Sequence, residues 1–419
     1  MAILSRNSAF SRVTALAEQR PLHEAFRWLH LHGQQMMRWQ EEVVRIPAPP
    51  FGEALRSAWM AEQFRSAGLE DVETDAVGNV FGIIAPADPG PAAHGPVVVL
   101  SAHLDTVFPA GTPLEPVVDH DRIEAPGACD NASGIIGMLA IAHALIDSNM
   151  RLGATLVFCG NVGEEGEGDL RGVRHLYQQS RYAGRVAAHI VLDGAGAVTA
   201  VTQALGSWRY RVTMTGPGGH SFTDAGTPNP IAALASALAA IAETPLPAEP
   251  RTTLNLGTIH GGTSVNSIPE IASASIDCRS IAPEQLVRLE VAVHRAVEDA
   301  VERANEIARG NGVAANKLLS FAIHMIGDRP AAQLPADSPL LEALRAVDRH
   351  MGIRSDLRLG STDANIPMAQ GVPALSMGAG GDGGGAHTRQ EWYSDKNRET
   401  GLKRVLLLTL AMAEWAAGL

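Results

Sequence analysis

Residues 97–108 read VVVLSAHLDTVF, an unbroken apolar run that ends at a serine and then delivers His103 and Asp105. A short, continuous β-branched run of this kind marks a strand buried on both faces, as in a parallel sheet covered by helices. The same pattern recurs on either side. NVFGIIA (79–85) and ATLVFCGN (154–161) are strand-like, HIVLD (189–193) is another run that stops at Asp193, and GIIGMLAIAHALI (134–146) is a strongly apolar helix. Strands alternating with helices predict a doubly wound α/β layer.

Near Ser207 the pattern changes. WRYRVTMTG (208–216) alternates, PNPIAALASALAAIAE (228–243) is helical, and TTLNLGTIHGG (252–262) and ASASIDCRS (272–280) are strands. Residues 283–308 form a long amphipathic helix, and KLLSFAIHMIG (317–327) is a further strand. This β-α-β-β-α-β order predicts a ferredoxin-like module inserted into the first layer. The expected organisation is therefore 1–206 and 327–419 as two parts of one α/β domain, with 207–326 as an inserted α+β domain. After the insertion a helix (338–352), a strand (372–378) and a closing helix from Arg398 resume the α/β pattern. The glycine-rich GAGGDGGGAH (378–387) between the last two is expected to be a mobile loop.

Composition narrows the function classes. The 419 residues are 46% hydrophobic and 19% charged, which describes a folded chain with a sizeable core. A formal net charge of −12 leaves no excess of cations for nucleic acid or an anionic membrane. Cys129, Cys159 and Cys278 are odd in number and far apart, so neither a disulfide framework nor a thiolate zinc knuckle is supported. The first residues are broken by Arg6, Arg12, Glu18 and Arg20, unlike a signal peptide, and no apolar stretch approaches the roughly 18 residues of a membrane span. The expectation is a soluble cytoplasmic protein.

The residues with chemical potential share a position. His103 and Asp105, Glu164 and Glu165, and Asp193 all lie just past the C-terminal ends of expected strands; Asp130, in GACDNASG, immediately precedes the apolar helix, and His387 follows the last strand. In open α/β sheets that edge binds ligands, so residues distant in sequence can converge there. Imidazole mixed with carboxylate suits zinc and related divalent ions. One aspartate bridging two such sets would hold two ions about 3.5–4 Å apart. A single histidine is more often structural and adjacent acids are more often solvated; the shared sheet edge is what separates these residues from that reading. His30, His32, Trp28 and Trp39 lack it and are read as parts of a structural helix.

Taken in order, SAHLDTVF, GACDNASG, GNVGEEGEGDLRG, VLDGAG, GPGGHS, GGTSVNSIP, IDCRS and GAHTRQEW resemble the peptidase T, carboxypeptidase G and aminoacylase family of di-zinc metallopeptidases and amidohydrolases, nearest its peptidase T-like tripeptidase branch. The resemblance implies a zinc-peptidase catalytic domain with an inserted lid and dimerisation domain. It implies one zinc on His103, Asp130 and Asp193 and a second on Asp130, Glu165 and His387, with manganese or cobalt as other admissible metals. Asp105 matches the carboxylate that orients the histidine ligand. Glu164 matches the general base that activates a zinc-bridging hydroxide. His220 matches a donor to the oxyanion of the tetrahedral intermediate, often supplied by the partner of a homodimer, and Asn266 and Arg279 match positions that hold the polar end of the substrate. Arg279 has a structural alternative in an ion pair with Asp277.

The family carries aspartate at the Asp193 position mostly in aminopeptidases and dipeptidases, and glutamate in carboxypeptidases and deacylases. The expected activity is therefore hydrolysis of di- or tripeptides with a free amino group. An N-acyl- or N-carbamoyl-amino-acid amidohydrolase is the alternative, and a catalytically silent binding protein on the same fold is a third reading. GSTDANIP (360–367) places Asp363 either beside the substrate pocket or as a cap for the following turn.

Overall fold

The opening run forms the strand Val97–His103, buried along its whole length, in a computed structural model that describes residues 9–86 and 95–419. Thr155–Asn161 and Val186–Leu192 flank it in parallel, and Ala374–Met377 continues the parallel set beyond the latter. Antiparallel strands Val80–Ile84 and Glu70–Thr74 extend one side, and Thr199–Ala204 the other. The continuous apolar pattern follows from two covered faces. Val98, Leu100 and Ala102 enter a large core with the helices Ala132–Asp147 and Arg398–Ala416, while Val97 and Val99 enter a smaller one with residues of the helix Arg171–Gln178.

Helix Ala132–Asp147 is apolar nearly all round because it is covered all round. One side packs on the sheet and the other on the N-terminal helices Arg20–Leu31 and Gly33–Val44. The Trp28 and Trp39 rings stack on His143 of that helix at 5.4 and 5.0 Å between centroids. These tryptophans fasten the N-terminal helices to the core.

By its contacts the chain divides into two units, Met1–Ala204 with Gln333–Leu419, and Leu205–Ala332. The second unit carries an antiparallel sheet in the order Thr252–Gly261, Ile271–Ser280, Gly206–Thr215, Ser320–Arg329. Helices Pro230–Ala242 and Pro283–Gly310 pack with it around one core. The element order is the expected β-α-β-β-α-β, and its last strand runs two residues past Gly327. Alternation along Ile271–Ser280 buries Ala274, Ile276 and Cys278.

The glycine-rich segment differs from the expectation of a mobile loop. Asp382–Gly384 pairs with Trp392–Ser394, which pairs in turn with Arg122–Glu124. Its glycines serve close packing: a Cβ at Gly381 would strike the Tyr393 ring, and one at Gly383 would strike the Cys129 sulfur. Among the described residues, no helix is long and apolar enough to cross a membrane.

Candidate metal centre

The parallel strands end on the same side. His103 closes its strand opposite Asn161 in register, Glu164 and Glu165 follow the neighbouring strand, and Asp193 follows Val186–Leu192. Asp130 arrives from the start of helix Ala132–Asp147. There Asn131 caps the helix by accepting the Gly134 N–H at 3.1 Å, accepts the Gly194 N–H at 3.1 Å, and donates to the Leu192 carbonyl at 2.8 Å. One side chain thus ties the segment bearing Asp130 to the segment bearing Asp193.

Two overlapping clusters result. Ligand-type atoms of His103, Asp130 and Asp193 lie within 4.8 Å of one another, as do those of Asp130, Glu165 and His387. Asp130 belongs to both. In the first, His103 Nε2 is 3.0 Å from Asp130 Oδ1 and 3.9 Å from Asp193 Oδ1. In the second, His387 Nε2 is 3.1 Å from Asp130 Oδ2 and 2.9 Å from Glu165 Oε1. Donors about 2.1 Å from a shared tetrahedral ion would stand about 3.4 Å apart, which is the spacing these atoms bracket. Asp130 Oδ1 is buried without a hydrogen-bond partner, although the His103 ring is beside it. A buried carboxylate oxygen left without a donor suits a cation. The residues present therefore fit a pair of divalent ions.

Electrostatics point the same way. Burial, and then the charge of Asp130, push the Asp193 carboxyl up to about 7. Burial also opposes ionisation of Asp130, but His103 and His387 outweigh it and hold that carboxyl well below the usual range. The Asp130 and Glu165 carboxylates push the His387 imidazole up to about 10. Acids packed this closely favour bound cations over protons.

The Glu164–Glu165 doublet is held by Asp105. Its two oxygens accept the N–H groups of Glu164 and Glu165 at 3.0 and 2.8 Å, while His103 Nδ1 sits 3.1 Å from the Asp105 carbonyl and 3.7 Å from its carboxylate. Asp105 thus fixes the doublet's backbone directly and touches the imidazole mainly through its own main chain. Glu164, with His103 and Glu165, forms a third trio within 4.8 Å, so its carboxylate reaches the same space.

The family model for peptidase family M20/M25/M40 matches residues 99–411. The chain belongs to this family. It is a metal-dependent hydrolase acting on peptide bonds. The uncharacterized protein YqjE of Bacillus subtilis is 25% identical to this M20 chain over 84% of it and 91% of the relative. A tripeptidase structure from Staphylococcus aureus matches with a TM-score of 0.70 at 21% identity, covering 92% of this chain and 99% of the other. The aminopeptidase PepT structure from Bacillus cereus matches with a TM-score of 0.68 at 20% identity, covering 92% and 99%. At these identities the two structures establish the fold, including the inserted domain.

In the second unit His220 and Asn266 come together. Gly219–His220 pairs with Ser267–Ile268, and the Ser221 N–H donates to the Asn266 carbonyl at 3.0 Å. Arg279 sits near the other end of the Ile271–Ser280 strand, which spans about 30 Å at the usual rise. Its Nε donates to Asp277 at 2.7 Å. Asp363, in the first unit, is fully buried and accepts the Asn161 side-chain N–H at 2.6 Å.

Sequence reasoning missed three residues of this centre. Asn131 caps the helix and joins the segments of Asp130 and Asp193. Glu391, fully buried, accepts the N–H groups of Gly127, Cys129 and Asp130. Arg56, 1% exposed, donates to the Leu104 carbonyl at 2.8 Å, between His103 and Asp105. Burial pushes its guanidinium down to about 10 against the opposing charges of Asp105 and Glu391.

Proposed function

We propose that this M20 peptidase hydrolyses di- or tripeptides bearing a free amino group, with two divalent ions, zinc in the first instance, shared through Asp130. The observation that supports this most directly is the presence of Asp130 in both ligand clusters. Bound there, the ions would supply Lewis acidity to the scissile carbonyl and acidify water. His103, Asp130 and Asp193 would hold one ion, and Asp130, Glu165 and His387 the other.

The remaining work falls to the chain. Glu164 is 5% exposed and backbone-anchored, so its carboxylate can take a proton from the attacking water and return it to the leaving amine. His220 is assigned to the developing oxyanion and Asn266 and Arg279 to the substrate's polar end. In this reading His220 would be delivered to a second copy in a homodimer, as the resemblance implies. For Arg279 to bind a substrate carboxylate, it would use the guanidinium nitrogens left over from Asp277.

Asp193 favours the free-amine class over N-acylated substrates. Dipeptides, tripeptides and N-acyl-amino acids assayed side by side with zinc, manganese and cobalt test this reading. Turnover of free-amine peptides is expected, and exclusive turnover of N-acylated or N-carbamoylated amino acids would replace it with the amidohydrolase reading.

A further inference from the structure

Asp130 and His387 are 257 residues apart in sequence yet meet at 3.1 Å. What brings their two segments into register is a third carboxylate. Glu391 Oε1 accepts the N–H of Asp130 at 2.6 Å and of Cys129 at 2.8 Å, and Oε2 accepts that of Gly127 at 3.0 Å. Its backbone joins in, because the Ala125 N–H donates to the Glu391 carbonyl at 3.0 Å.

Glu391 is equally tied to His387. The intervening turn is closed by the Glu391 N–H on the Thr388 carbonyl at 3.2 Å and by the Thr388 N–H on the Gly385 carbonyl at 3.0 Å. The short ladder Asp382–Gly384 with Trp392–Ser394 brackets the same turn. A single side chain therefore spans the loop that carries the shared ligand and the loop that carries the exposed histidine.

The environment lets that side chain act as a fixed anchor. Glu391 is fully buried, so solvent does not compete for the three N–H groups. Hydrogen bonds to a charged acceptor are stronger than neutral ones, and three of them leave the backbone before Asp130 little freedom. Gln40 completes the clamp from another element, donating its side-chain N–H to the Ala128 carbonyl at 2.6 Å.

We propose that Glu391 is a positioning residue for the metal pair: it sets Asp130 and His387 in ligand geometry before any ion binds. The proposal rests on the reading of Asp130 and His387 as metal ligands. It predicts that the centre is preorganised, with the ordering done by Glu391 at the folding stage and not by the ions. Partners of this kind typically change metal affinity by 10- to 100-fold.

The test compares wild type, Glu391→Gln and Glu391→Asp, stripped with chelator and titrated calorimetrically with zinc, with cobalt absorption spectra as a second readout. Glu391→Gln keeps the shape but replaces one acceptor oxygen with an N–H donor. At least one ion should bind about 10- to 100-fold more weakly and the cobalt spectrum should change, beyond whatever fall in the metal-free unfolding midpoint the lost acceptor causes. Wild-type affinity for both ions in Glu391→Gln and Glu391→Asp overturns the proposal. Should neither variant fold, hydrogen exchange on metal-free wild type decides: protected amides at Gly127, Cys129 and Asp130 support it, and free exchange at all three overturns it. A wild type that binds no divalent ion would instead overturn the metal reading beneath it.

Discussion

The Asp105 carboxylate accepts the backbone N–H of Glu165 at 2.8 Å. Its other oxygen takes the Glu164 N–H, so two adjacent like-charged residues leave a pinned backbone, and their carboxylates stand within 4.8 Å of each other and of His103. Asp105→Asn would turn one acceptor into a donor facing an N–H. The expected result is a loss of about 1.5–3 kcal/mol in stability, as for hydrogen bonds to a charged group, together with a fall in kcat larger than any change in KM. Denaturant unfolding and steady-state kinetics of the same preparation check both.

Gly134 lies where the Asn131 side chain and the Leu192 carbonyl crowd the start of the helix. A Cβ there would strike both Asn131 Oδ1 and the Leu192 oxygen. Gly134→Ala should therefore destabilise by about 1–3 kcal/mol despite the better helix propensity of alanine. Because Asn131 links the Asp130 and Asp193 segments, the substitution should also weaken metal binding, measured by titration of the stripped protein.

His189 offers a pH test at a residue outside the proposed ligands. It is buried between Ser101 and Tyr177, and burial pushes its imidazole down to about 3. The unfolded chain, with an ordinary histidine near 6.5, therefore binds a proton that the folded chain refuses, so stability falls as pH drops below about 6.5. Between pH 7 and 5 wild type should lose roughly 2 kcal/mol relative to His189→Gln. Parallel urea titrations at the two pH values give that difference, and equal losses in the two proteins would contradict the buried neutral imidazole.

The parallel strands were legible because they are covered on both faces. Val97–His103, Thr155–Asn161 and Val186–Leu192 each read as a continuous apolar run, and their ends point to His103, Glu164, Glu165 and Asp193. The inserted module was legible from alternation, since one face of Ile271–Ser280 is core and the other is not. Residues that act on backbone groups left no such trace. Glu391 grips three N–H groups from a segment some 260 residues away, and nothing in its neighbours' hydropathy marks that. Glycine misled for a related reason: at Gly381 and Gly383 its lack of a Cβ serves close contact with Tyr393 and Cys129, whereas composition alone suggests mobility.

The central claim is that ions held around Asp130 are required and that Glu164 moves the proton. Metal content and tripeptide turnover, measured together on wild type, chelated wild type and Glu164→Ala, test it most directly. About two divalent ions per chain are expected in wild type, with activity lost on chelation and restored by metal. Glu164→Ala should keep its fold and both ions while kcat falls at least about 10²-fold. A chelated, metal-free protein that stays fully active would contradict the account, and loss of an ion from Glu164→Ala would make Glu164 a ligand instead of the base.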